Sequence, residues 1–68
     1  FQKEYDLSTA ETSVSLALAA GQSPDEIAEN RQVSIFTVRN QIQSAMEKCG
    51  VRRQLQLAAL VNRHNSAP

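Results

Sequence analysis

Two serine–glutamate pairs, Ser8 and Glu11 in "STAE" and Ser23 and Glu26 in "SPDE", constrain this chain more than any other feature. In each, a serine hydroxyl and a glutamate three residues later satisfy each other's free backbone donors, which is the signature of a helix start. Pro24 strengthens the second pair, because proline suits the first helical position. Gly21 stands between them and offers the left-handed conformation in which helices stop. The spacing predicts one helix over about residues 9–20 and a second over about 24–30.

A third helix is predicted after Ser34, another good N-cap. Its apolar residues fall at Val38, Ile42, Ala45, Met46 and Cys49, along one helical face, and Gly50 ends it. A fourth is predicted over about residues 53–63, with Leu57, Leu60 and Val61 toward the core. No strand-like alternation occurs, and "RHNSAP" reads as a frayed polar tail. The expectation is an all-α fold of four helices. Only "RQVS" separates helices two and three, which suits the angled crossing of a helix-turn-helix. Ala28 suits the close approach of those helices, and Val33 is expected to plug the turn from inside.

At 68 residues the chain holds one domain with one small core. With 41% hydrophobic residues it is neither a disordered tail nor a membrane protein, and no apolar run approaches the roughly 20 residues that span a bilayer. It begins at Phe1 and reads as a piece of a longer protein, with a regulatory domain expected upstream. The lone Cys49 fits a reducing cytoplasm and, on the apolar stripe, a structural thiol. The only histidine, His64, sits in the predicted tail. With two glycines and one cysteine there is no phosphate loop or metal cluster, so neither enzyme chemistry nor a cofactor is expected.

The net charge of zero conceals a division. Residues 1–30 carry Glu4, Asp6, Glu11, Asp25, Glu26 and Glu29 against Lys3, a balance of −5. Residues 31–68 carry Arg31, Arg39, Lys48, Arg52, Arg53 and Arg63 against Glu47, a balance of +5. Such asymmetry points to an anionic partner. At about 100° per residue, Phe36, Arg39, Asn40, Gln43, Ser44 and Glu47 lie away from the apolar stripe of helix three. Arginine pairs bidentately with guanine, and asparagine or glutamine with adenine. Phe36 suits a thymine methyl or a sugar, while Ser34, Thr37 and the free amides of the helix start suit a phosphate.

The order "LSTAE…LALAAGQSPDEIAENRQVSIFTVRNQ…MEKCGVRRQLQLAAL" resembles the DNA-binding domain of LuxR-type (GerE-type) bacterial transcription regulators. The likeness runs without a gap from Leu7 to about Val61 and rests on Leu7, Glu11, "AAG", Ser23, "EIA", "VS", "TVRNQ", Lys48 and "GVRRQ". It implies a linker over residues 1–6, a domain over 7–63 and a flexible tail over 64–68. It further implies that helix three enters the major groove of double-stranded DNA. Arg39, Asn40, Gln43 and Phe36 would then face bases, and Ser34, Thr37, Gln41, Arg52 and Arg53 would face phosphates. Helix four of the family commonly forms a homodimer contact, for which Leu55, Ala58, Ala59 and Asn62 are available.

Some positions depart from the family pattern. Ala10 stands where an arginine before Glu11 is common, so the structural ion pair of that arginine is expected to be missing. Asp25 replaces a frequent lysine, Gln41 a frequent histidine and Cys49 a usual leucine. With few phosphate-directed cations, binding is expected to be modest and dependent on dimerisation. Two rivals share the pattern. The promoter-reading domain of sigma factors has "EIA" and "VS…TV" but lacks the "GVRRQ" step. A degenerate helix-turn-helix that only dimerises or holds a partner protein would suit the acidic first half, though not Arg39, Asn40, Gln43, Arg52 and Arg53 together.

Overall fold

The computed structural model describes residues 1–65; "SAP", the end of the predicted flexible tail, lies outside the described residues. Four helices follow in order: α1 (Thr9–Ala19), α2 (Pro24–Arg31), α3 (Ile35–Cys49) and α4 (Gln54–Asn65). No strand occurs among the described residues. The architecture is the expected all-α one.

Both capping boxes form. The Ser8 hydroxyl accepts the Glu11 amide at 3.0 Å while Glu11 Oε1 accepts the Ser8 amide at 2.8 Å. Ser23 and Glu26 repeat the pattern at 3.2 and 2.9 Å. Ser34 caps α3 through the Thr37 amide at 3.2 Å.

The first three helices end alike. At each exit a residue with positive φ is followed by one whose amide reaches back five residues: Gln22 to Ala17, Val33 to Ala28 and Val51 to Met46, at 3.0–3.1 Å. This is the Schellman closure, which satisfies carbonyls that the helix leaves open. Glycine supplies the left-handed residue twice, at Gly21 (φ 97°) and Gly50 (φ 70°). In the helix-turn-helix it is Gln32, at φ 57° and ψ 44°. That closure carries α2 on to Arg31, past the expected end at residue 30. It also turns Val33 outward, where it is 41% exposed rather than plugging the turn. Ala28 is buried as expected.

One core unites the helices. Val14 and Leu18 from α1, Ile27 and Ala28 from α2, Val38, Ile42, Ala45 and Met46 from α3, and Leu57 from α4 are all buried. The predicted stripe of α3 is therefore the buried one, with Cys49 half-buried at its end. Leu60 is only half-buried, and Leu16 is exposed.

Glu11 finds an ion-pair partner on another helix. Lys48, from the last turn of α3, reaches Glu11 Oε1 at 2.8 Å. The side chain of Glu11 is 9% exposed and that of Lys48 41%. Hydrogen bonding from Lys48, then from Ser44 and the Ser8 amide, holds the Glu11 carboxyl at about 2, against 4.5 ordinarily. The same carboxylate pushes Lys48 upward.

The chain ends differ from expectation too. Helix α4 continues to Asn65, so His64 belongs to its last turn rather than to a tail. Phe1 and Tyr5 pack tilted at 5.3 Å, and both meet the His64 ring edge-on, at 5.4 and 6.0 Å. Glu4 Oε2 lies 3.3 Å from His64 Nε2. Residues 1–6, expected as a linker, form a turn in which Phe1 and Tyr5 pack against the core.

Glu11 is charged more readily in the folded chain than in the unfolded one, so its contribution is complete above pH 4.5 and fades as pH falls toward 2. With Lys48 partly in solvent, the loss should be about 1–3 kcal/mol. Glu11→Gln keeps a capping amide yet removes the charge. In urea melts followed by circular dichroism, it should be less stable than the parent at pH 7 and nearly equal to it at pH 2. A constant difference between the two at every pH would mean that the ion pair contributes nothing.

Candidate nucleic-acid interface

The face of α3 opposite the buried stripe carries Phe36, Arg39, Asn40 and Gln43, spaced i, i+3, i+4 and i+7, with Glu47 one turn further. That spacing lines side chains up along one edge of a helix. All five are exposed, Phe36 by 73%. The core stripe fixes which way this face points, because Val38, Ile42, Ala45 and Met46 must be buried for the domain to fold. Arg39 and Asn40 have no side-chain hydrogen-bond or ion-pair partner among the described residues. Gln43 differs, because its Nε2 donates to Glu47 Oε1 at 3.3 Å. The Gln43 carbonyl oxygen then faces solvent as an acceptor.

At the N-terminus of α3 the Ser34 and Thr37 hydroxyls lie 3.0 Å apart, both exposed. First-turn amides concentrate partial positive charge there, which suits an anion. Gln41, also expected at phosphate, is half-buried, and its Oε1 is enclosed without a hydrogen-bond partner.

The second basic element is the start of α4. No hydroxyl or carboxylate caps this helix; instead Gln56 Oε1 accepts the amides of both Arg52 and Arg53, at 2.9 and 3.0 Å. This is the glutamine half of a capping box without its serine. Gln56 therefore ties down the Arg52–Arg53 backbone while leaving both guanidinium groups exposed. They have no partner among the described residues.

The six cations of the basic half thus divide by use. Lys48 is bound to Glu11, and the Arg31 guanidinium to the Ser13 hydroxyl. Arg63 also has a partner. Arg39, Arg52 and Arg53 are the ones left to meet an anion.

The outer face of α4 is a ridge between two shallow grooves. Leu55 crowns it at 81% exposure, beside Ala59. One groove, of about 400 Å³, is lined by Leu18, Gly21, Gln22, Gln54, Leu55 and Ala58. The other, of about 260 Å³, is lined by Val51, Gln56, Ala59, Leu60 and Arg63. Asn62 is exposed yet donates to the Ala19 carbonyl at 3.5 Å, a long bond that ties it to α1.

Two partnerships escaped the sequence reading although each had a signal. Glu47 stands four residues beyond Gln43, and Gln56 occupies the third position of α4. Cys49 is pushed above its ordinary value by burial, as suits a structural thiol. Among the described residues no helix is long and apolar enough to cross a membrane, and no cluster of potential metal ligands forms.

Compared with known proteins, the sequence matches the family model described as bacterial regulatory proteins, luxR family, over residues 6–61. No curated protein and no solved structure matches it.

Gln56→Ala should release the two amides and loosen the first turn of α4, at a cost of about 0.5–2 kcal/mol. Faster hydrogen exchange at Arg52 and Arg53, with α1 to α3 unchanged, would show this. Unaltered protection at both would mean that water serves the amides equally well.

Proposed function

The chain belongs to the luxR family of bacterial regulatory proteins, and its four helices are that family's helix-turn-helix DNA-binding domain; on that footing we propose that α3 reads double-stranded DNA in the major groove. The observation that carries the reading is the single exposed stripe of Arg39, Asn40 and Gln43, directed outward by the burial of the opposite face. Arg39 donates twice to a guanine edge, and Asn40 pairs bidentately with adenine. Gln43, held by Glu47 through its amide nitrogen, offers its carbonyl to an exocyclic amine. Ser34, Thr37 and the amides at the start of α3 take one phosphate, while Arg52, Arg53 and Gln41 lie along the backbone and set the register.

The regulator acts as a homodimer. Leu55 and Ala59 of one copy pack on the same ridge of the other, with Ala58 and Asn62 flanking, so two α3 helices address a two-fold symmetric operator. A cytoplasmic location and a regulatory domain upstream belong to the same proposal.

The deciding experiment is selection from a randomised duplex pool at low salt, run with the parent chain and with an Arg39→Ala, Gln43→Ala double variant. A symmetric motif enriched by the parent alone supports the reading. Self-association without any enriched motif would favour the interaction module instead.

On the enriched duplex, Arg39→Ala should cost roughly 1–3 kcal/mol and blur one base pair per half-site. Arg52→Ala should instead weaken all sequences alike. Because a dimer loses that contact twice, the slope of log K against log salt should fall by about two. Equal sensitivity of every sequence to Arg39→Ala would make it a backbone contact.

Leu55→Asp puts two carboxylates where the copies meet, so sedimentation should give monomer at concentrations where the parent dimerises, with helicity retained. An unchanged mass would rule out the α4 ridge as the dimer contact.

A further inference from the structure

We propose that Phe36 is a methyl reader: its ring selects a pyrimidine bearing a C5-methyl group, thymine first of all, at the base step facing the first turn of α3. The inference deepens the proposed function and rests on it. Phe36 opens the proposed reading stripe, three residues before Arg39 and four before Asn40, and is 73% exposed. It has no part in the core, and it stands apart from the ring cluster of Phe1, Tyr5 and His64. Nothing in the fold accounts for a phenylalanine here.

The chemistry of the groove narrows what can cover it. Arg39, Asn40 and Gln43 each match a donor or acceptor on a base edge; a benzyl group matches none. Among the groups that a major groove presents, the one apolar group is the thymine methyl. Covering the ring with a carbonyl oxygen or an exocyclic amine would strip water from that polar atom without replacing the hydrogen bond. Phe36 therefore discriminates twice, by favouring a methyl and by disfavouring a bare polar edge. The surroundings do not suit a protein partner: the flanking Ser34, Thr37, Arg39 and Asn40 are polar and exposed. The nearest other exposed large hydrophobic in sequence is Val33, on the connecting turn. Phe36 and Val33 among polar side chains do not make the broad apolar patch of a protein interface.

The test uses the duplex enriched by the parent chain. Each thymine of a half-site is replaced in turn by deoxyuridine, which removes only the methyl, and Kd is measured by fluorescence anisotropy at fixed salt for the parent and for Phe36→Ala. One position should weaken the parent about three- to tenfold per methyl lost. Phe36→Ala should bind the thymine duplex less well and be indifferent to deoxyuridine at that position. Because the ring is exposed, Phe36→Ala should melt at the parent's temperature. At the sensitive position, a 5-methylcytosine–guanine pair should bind the parent better than cytosine–guanine, which separates recognition of the methyl from recognition of thymine as a whole. If the parent tolerates deoxyuridine at every thymine of an enriched duplex, the inference is overturned while the DNA-reading function stands. If no duplex is enriched at all, the function itself fails and Phe36 falls with it.

Discussion

A single carboxylate holds the domain in register. Glu11 closes the N-terminal cap of α1 and, through the same oxygen, grips Lys48 in the last turn of α3. The pair spans 37 positions of sequence and joins the longest helix to the first one. Lys48 is well sited for it, since a cation near a helix C-terminus also meets the negative end of the helix dipole. Glu11 is nearly enclosed, and a charge there persists only because it is paired and accepts hydrogen bonds. Fixing the far end of α3 leaves its first turn, with Ser34, Phe36 and Thr37, free at the surface. The exposed stripe of α3 takes its direction from the buried one, and the pair adds a tether at the far end of the helix.

Much of this was legible beforehand, and the misses have a common cause. Capping boxes, glycine stops and the stripe from Val38 to Cys49 are local patterns, and each formed where the residues indicated. Gln32 closes a helix in a glycine's conformation without being glycine, and that closure turns Val33 outward against the inward expectation. The Glu11–Lys48 pair was missed for a different reason. Its two members stand 37 positions apart on different helices, where no local pattern joins them. His64 looked like tail because its ring partners lie at the opposite end of the chain. Local chemistry is written in neighbouring residues; long-range pairing is not. Of the candidate site, periodicity revealed the exposed stripe and side-chain chemistry suggested base and phosphate contacts, while placement in the major groove was implied by the family resemblance.

Charge bookkeeping illustrates how a neutral chain remains suited to an anionic partner. The total of zero matters less than which cations are already committed. In the basic half Lys48, Arg31 and Arg63 are engaged within the fold, leaving Arg39 on α3 and Arg52 and Arg53 ahead of α4. Gln56 meets the backbone needs of the last two, whose guanidinium groups stay exposed. A polyanion responds to where charge sits as well as to its sum.

The rings of Phe1, Tyr5 and His64 have a topological meaning beyond packing. Most of the fold is assembled from contacts between residues close in sequence, the kind that form fast because little chain must be gathered first. The contact of Phe1 with His64 has the longest reach of those described, closing nearly the whole chain into one loop. Loop-closure entropy grows only as the logarithm of length, so joining the ends costs little more than joining the middle. Once joined, neither the first turn nor the last can fray alone. A small helical domain thereby acquires a seam, and its two ends open or close as one.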